Sequence, residues 1–155
     1  MKFFLVCAII QWNDCIRQDG NIISLQPTVD THTAKQINSV TLAFVGDAVY
    51  SLYVRERLSL SRQLKTGDLQ KLTSLKVSAH GQNAALDKLR PHFTEEEEEV
   101  FLRGRNAKKG TRSKSATVAE YNRSTGFEAV LGFLYVTGQI ERINQLLSLA
   151  EEENT

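Results

Sequence analysis

A chain of 155 residues is long enough to bury a sizeable core and short for two, so one principal domain is expected. Hydrophobic residues at 41% and charged residues at 24% are ordinary for a soluble globular protein and exclude a highly charged, core-poor chain. The net charge of +1 hides an asymmetry. Five consecutive Glu at positions 95–99 precede Arg103, Arg105, Lys108, Lys109, Arg112 and Lys114, with no acid among those cations. Cys7 and Cys15 both lie in the first fifteen residues, and His32, His80 and His92 are scattered, so no disulfide staple of the chain body and no zinc spacing is expected. That usage fits a reducing, cytoplasmic setting.

In chain order, Met1-Lys2 and the apolar run 3–10 resemble a short secretory core, yet no small-x-small cleavage site follows closely. The run is too short to span a bilayer, and nothing later is long and charge-free enough, so no membrane is expected. Residues 1–26 read as an extension or a mis-called translation start, and 27–155 as the domain proper. Residues 27–38 are polar and end in Asn38-Ser39, which is N-cap chemistry for a helix over about 40–60. Lys65-Thr66-Gly67-Asp68 reads as a turn and cap. One helix is then expected through Leu69, Leu72, Leu75, Leu86 and Leu89 to a stop at Pro91.

Thr94 and Glu97 make a capping box for the next helix, whose Glu run suits the positive dipole end and reads as solvated. Residues 105–116 read as an exposed basic loop. A second apolar helix follows over about 117–137, closed by Gly138 in the C′ position, and Ile140, Ile143, Leu146 and Leu147 mark a last amphipathic helix. No stretch alternates with period two. The expected architecture is all-α, a helical bundle with two unusually apolar helices at its centre.

Those two helices carry the chemical question. Residues 42–54 hold a single charge, Asp47, and residues 127–136 a single charge, Glu128. Their apolar residues run nearly all the way round, which predicts helices buried on most sides. An ionised carboxylate there is costly unless a cation, a donor or a metal meets it. Two such helices suggest one shared divalent-metal site; pairing of each acid with Arg, Lys or a helix N-terminus is the bland alternative.

Tyr121, Ser124 and Thr125 form a polar strip before Glu128, with Gly132 one turn after it, a pattern that serves either a site or close helix packing. Magnesium suits such a place, because it takes one or two carboxylates and keeps several waters. The cations between Arg103 and Lys114 form a patch able to neutralise phosphates, unless they are simply solvated; with little aromatic interleaving, backbone contact fits better than base stacking. Together these features describe a phosphodiesterase acting on nucleic acid.

Leu42-Ala43-Phe44-Val45-Gly46-Asp47-Ala48-Val49 resembles the signature helix of the ribonuclease III catalytic domain. With Tyr53-Val54-Arg55, then Arg103-Gly104-Arg105-Asn106-Ala107-Lys108, then Tyr121, Ser124-Thr125 and Phe127-Glu128-Ala129, the chain looks like the mini-ribonuclease III branch, which lacks a double-stranded-RNA-binding domain. The resemblance covers about residues 35–150. It implies an all-α endonuclease that homodimerises, with Phe44 at the dimer junction and one site per subunit, each cutting one strand of double-stranded RNA.

Asp47 and Glu128 match the family's metal-binding acids, which would hold Mg2+ (Mn2+ substituting) to activate a water and stabilise the leaving 3′ oxygen. The usual substrate is a stem of precursor 23S ribosomal RNA, and a ribosomal-protein helper is compatible with that role. The chain departs from the larger ribonuclease III pattern at Val40, Ala43 and Thr125, where acids are usual, which leaves the number of metals open. Arg103, Arg105, Asn106, Lys108, Lys109, Arg112 and Lys114 are the candidates for RNA binding, and Tyr121, Ser124 and Thr125 for supporting the acids. The rival expectations are a catalytically silent double-stranded-RNA- or ribosome-binding domain of the same fold, and an unrelated helical scaffold.

Overall fold

The computed structural model describes residues 29–61, 64–108 and 117–151, and among them every regular element is helical. In chain order these are α1 (Thr31–Gln36), α2 (Ser39–Ser61), α3 (Thr66–Val77), α4 (Ala79–Leu89), a 3-10 turn at Arg90–His92, α5 (Glu95–Arg105), α6 (Val118–Val136) and α7 (Ile140–Glu151). The expected all-α class is met. The extension 1–26 and the loop positions Lys109, Arg112 and Lys114 lie outside the described residues. No helix among the described residues is long and apolar enough to cross a membrane.

The second apolar stretch is the axle of the protein. From Ser124 to Leu134 only Glu128 escapes full burial, and α2, α4, α5 and α7 all pack against α6. Phe101, Phe127, Phe133, Leu42, Leu86, Leu131 and Leu147 fill the core between them. Burying each such side chain stabilises the fold by about 1.5–3 kcal/mol. Thr117 and Glu120 form a capping box that starts α6. Gly138 ends it at φ 79°, in the C′ position its sequence indicated.

The α2 pattern resolves differently from expectation. Leu42, Ala43, Gly46, Tyr50, Val54 and Leu58 are buried on one stripe, but Val40, Phe44, Ala48 and Leu52 form a second stripe open to solvent. Phe44 is 81% exposed and Leu52 63%. Asp47 stands on this open side and is exposed, so it is not the buried carboxylate that the apolar run suggested. All-round apolar periodicity records that each face can be buried at little cost. It does not say that one subunit supplies neighbours for every face.

Three local expectations also change. The polar stretch before α2 contains α1, started by Asp30, whose carboxylate accepts from the Thr33 amide. The single helix expected between residues 69 and 89 is two. Ser78 is extended (ψ 157°), its hydroxyl accepts from the Gly81 amide, and a Cβ on Gly81 would lie 2.4 Å from the Leu75 carbonyl oxygen. A serine that caps better than it propagates and a glycine that tolerates a sharp corner together break the helix.

The Glu run, finally, is not simply solvated. Glu97 is 3% exposed and receives Arg142 at 2.8 and 2.9 Å, while Glu96 pairs with Lys35 and Glu98 with Arg90. The Thr94–Glu97 capping box is present as expected.

Candidate active site

Two glycines set the closest approach of α2 and α6. A Cβ on Gly46 would lie 1.8 Å from the Glu128 carbonyl oxygen and 2.8 Å from the Gly132 nitrogen; one on Gly132 would lie 1.9 Å from the Leu42 carbonyl oxygen. At that crossing the backbones of α2 and α6 touch, which no residue with a side chain permits. Asp47 follows Gly46 directly and the Glu128 backbone lies against Gly46, so two acids far apart in the chain have their backbones beside one helix crossing. Gly132 therefore serves the packing that positions the site. Tyr50 stacks edge-on against Phe127 (5.1 Å) just beyond it, and burial pushes the Tyr50 hydroxyl up to about 12, so it stays protonated.

Within the polar strip on α6, Ser124 and Thr125 make bonds elsewhere than to Glu128. The Thr125 hydroxyl donates to the Tyr121 carbonyl (3.1 Å), and Ser124 donates to the Ala79 carbonyl (3.3 Å) while accepting from Asn83 (3.2 Å). Both hydroxyls are buried; Thr125 bonds within its own helix, and Ser124 fastens α6 to α4. A side chain that reaches Glu128 is Gln82 of α4, whose Nε2 donates to Glu128 Oε1 at 2.9 Å. Gln82 is 2% exposed. Its signal in the sequence is its place on an apolar stripe with Ala85, Leu86 and Leu89, where a lone amide is anomalous.

Among the described residues no three His, Cys, Asp or Glu side chains group together, and Asp47 and Glu128 are acids whose backbones lie beside the glycine crossing. Two hard oxygen donors with an exposed approach suit a magnesium-like cation that retains water, and they do not suit zinc or copper.

The basic candidates divide. Arg103 turns inward: its guanidinium donates to the Lys35 carbonyl, and its Nε and Nη2 are buried. Beside it Ser39 bonds the Arg103 carbonyl (3.4 Å), so this residue braces the corner between α1 and α2 against α5. Arg105 is half-buried, 6.0 Å from the Phe101 ring, and its Nε donates to Asn106 Oδ1 (3.1 Å). Asn106 and Lys108 are the more open pair at the end of α5.

Comparison with known proteins identifies the family. The profile of the ribonuclease III domain family matches residues 40–139, which contain both acids. The chain is 46% identical over 113 residues to Mini-ribonuclease 3 of Symbiobacterium thermophilum, covering 73% of this chain and 87% of that one. It is 43% identical to Mini-ribonuclease 3 of Streptococcus pneumoniae over 72% of this chain and 89% of that one, and 40% identical to its Staphylococcus aureus counterpart over 77% and 90%. A crystal structure of a Fusobacterium nucleatum protein superposes with a TM-score of 0.67 at 29% identity, covering 76% of this chain and 93% of that one. Members of the family are generally divalent-metal dependent and act on double-stranded RNA. The chain belongs to the ribonuclease III family, on its mini-ribonuclease III branch, and is an endoribonuclease.

Proposed function

We propose that this endoribonuclease is a Mg2+-dependent homodimer that cuts paired RNA, maturing the ends of precursor 23S ribosomal RNA in the cytoplasm. The observation that supports the reading is the Gly46–Gly132 crossing, against which the Glu128 backbone packs and beside which Asp47 follows in the chain. A divalent cation bound there supplies an acidified water and charge stabilisation at the scissile phosphate. Asp47, on the open side of α2, is available to both cation and substrate, and Glu128 is held in a fixed direction by Gln82. Asn106 and Lys108, with Arg105 and the further cations of the loop, meet the phosphate backbone and 2′-hydroxyls, which specify duplex shape rather than sequence.

The bare stripe of Val40, Phe44, Ala48 and Leu52 supports the dimer, with Phe44 at the junction. It lies on the same helix as Asp47, so a second copy seated on it brings two sites together, one for each strand. The test is cleavage of a labelled 23S precursor stem and of a generic long duplex, with Mg2+, with Mn2+ and with EDTA. Metal-dependent cuts in both strands, with the precursor stem preferred, are expected. Binding without cleavage on either RNA would overturn the reading in favour of a silent binding domain.

A further inference from the structure

Among the contacts around the acids, one is out of keeping with a helical core. Gln82 is almost wholly buried on the apolar face of α4, where an amide costs free energy unless both its ends are met. A leucine would serve packing better. Its Nε2 instead spans 46 positions of sequence to donate to Glu128 Oε1. The next residue, Asn83, fastens the same two helices through other partners: its Nδ2 donates to the Glu120 carbonyl (3.0 Å), to Ser124 Oγ (3.2 Å) and to the Ala79 carbonyl (2.7 Å). The α4–α6 junction thus has hydrogen bonds from Asn83 besides the one from Gln82.

We propose that Gln82 is a positioning residue for the metal site, whose amide fixes the rotamer of the Glu128 carboxylate so that it faces the cation before the cation arrives. A flexible glutamate has three side-chain torsions to order on binding; a charge-assisted bond from a buried, immobile donor removes that cost in advance. A carboxylate has lone pairs enough to accept one N–H and still ligate a metal. An amide is also the right partner where Arg or Lys is not, since a neutral donor orients the acid without competing with the cation's charge.

The inference rests on the reading of Asp47 and Glu128 as the metal ligands, and the experiment separates the two. Mn2+ binding to the intact, RNA-free protein is measured by electron paramagnetic resonance for wild type, Glu128→Gln, Gln82→Met and Asn83→Ala. Loss of binding in Glu128→Gln upholds the ligand assignment; binding unchanged in that variant removes it, and with it the role given to Gln82. With the assignment upheld, Gln82→Met, which keeps volume and loses the donor, is expected to weaken Mn2+ affinity by about tenfold or more. Asn83→Ala is expected to lower thermal stability and leave that affinity within about twofold. Unchanged affinity in Gln82→Met, or an equal loss in Asn83→Ala, overturns the proposal. Should Gln82→Met not fold, the side-chain amide resonance of Gln82 in glutamine-labelled wild-type protein decides: it must shift on addition of Mg2+, and a resonance that does not respond overturns the proposal.

Discussion

Gly46 and Gly132 lie in each other's backbone: the missing side chain of the first leaves room for Glu128 and Gly132, and that of the second for Leu42 and Gly46. The reciprocal contact sets the spacing of the two central helices and brings the Glu128 backbone against Gly46, next to Asp47 in the chain.

Alanine at either glycine forces its Cβ to within 1.8 or 1.9 Å of a backbone carbonyl oxygen, which only helix separation relieves. Gly46→Ala and Gly132→Ala are each expected to cost about 3 kcal/mol or more, the upper part of the overpacking range, lowering Tm by roughly 6–12 °C for a chain of this size. Gly67→Ala is the control, since nothing lies within 4 Å of its Cβ. Thermal denaturation checks all three; equal Tm values would refute the crossing.

Asp47→Asn and Glu128→Gln remove charge while keeping shape. Both are expected to abolish cleavage of paired RNA while leaving duplex affinity and Tm near wild type. Asp47 is exposed, and the amide that replaces the Glu128 carboxylate keeps an oxygen to accept from Gln82. Filter binding and gel-resolved cleavage on one preparation make the comparison. A variant that fails to fold would count against a purely catalytic role for that acid.

The Glu97–Arg142 pair predicts acid sensitivity. Burial raises the Glu97 pKa, but the bonds from Arg142 and Thr94 outweigh it and leave the carboxyl below its usual range. A lowered folded pKa contributes stability that is present above the unfolded value, near pH 4.5, and is lost as pH falls through the folded value. Glu97→Gln should cost about 3 kcal/mol at neutral pH and flatten the acid limb of a stability–pH curve measured by urea unfolding. An unchanged acid limb would mean that other carboxyls carry it.

Phe44→Glu places a charge in the middle of the bare stripe on α2. It is expected to shift the protein from dimer to monomer in light scattering at micromolar concentration and to reduce cleavage sharply, with the helical signal retained. A monomeric wild type, or a dimeric Phe44→Glu, would move the interface elsewhere.

Much of the fold is legible along the chain. Helix class, the extent of α2 and α6, the Thr94 capping box and the Gly138 stop all follow from interactions within a few residues, and short-range rules read those directly. The break at Ser78 is not, because leucines on both sides of it keep a helical rhythm, while a single cap and a single glycine decide the corner.

The site is legible in part. A lone acid in each of two apolar helices points to Asp47 and Glu128, and family resemblance gives them a chemistry. The inward turn of Arg103, the bond from Gln82 and the open stripe beside Asp47 are hidden, because each depends on which helix lies opposite. By itself the sequence determined the helices, their ends and the acids they carry, since periodicity and capping are properties of neighbours along the chain. Only the tertiary structure decided which faces meet, because close packing joins residues as distant as Gly46 and Gly132, and no local pattern records the partner.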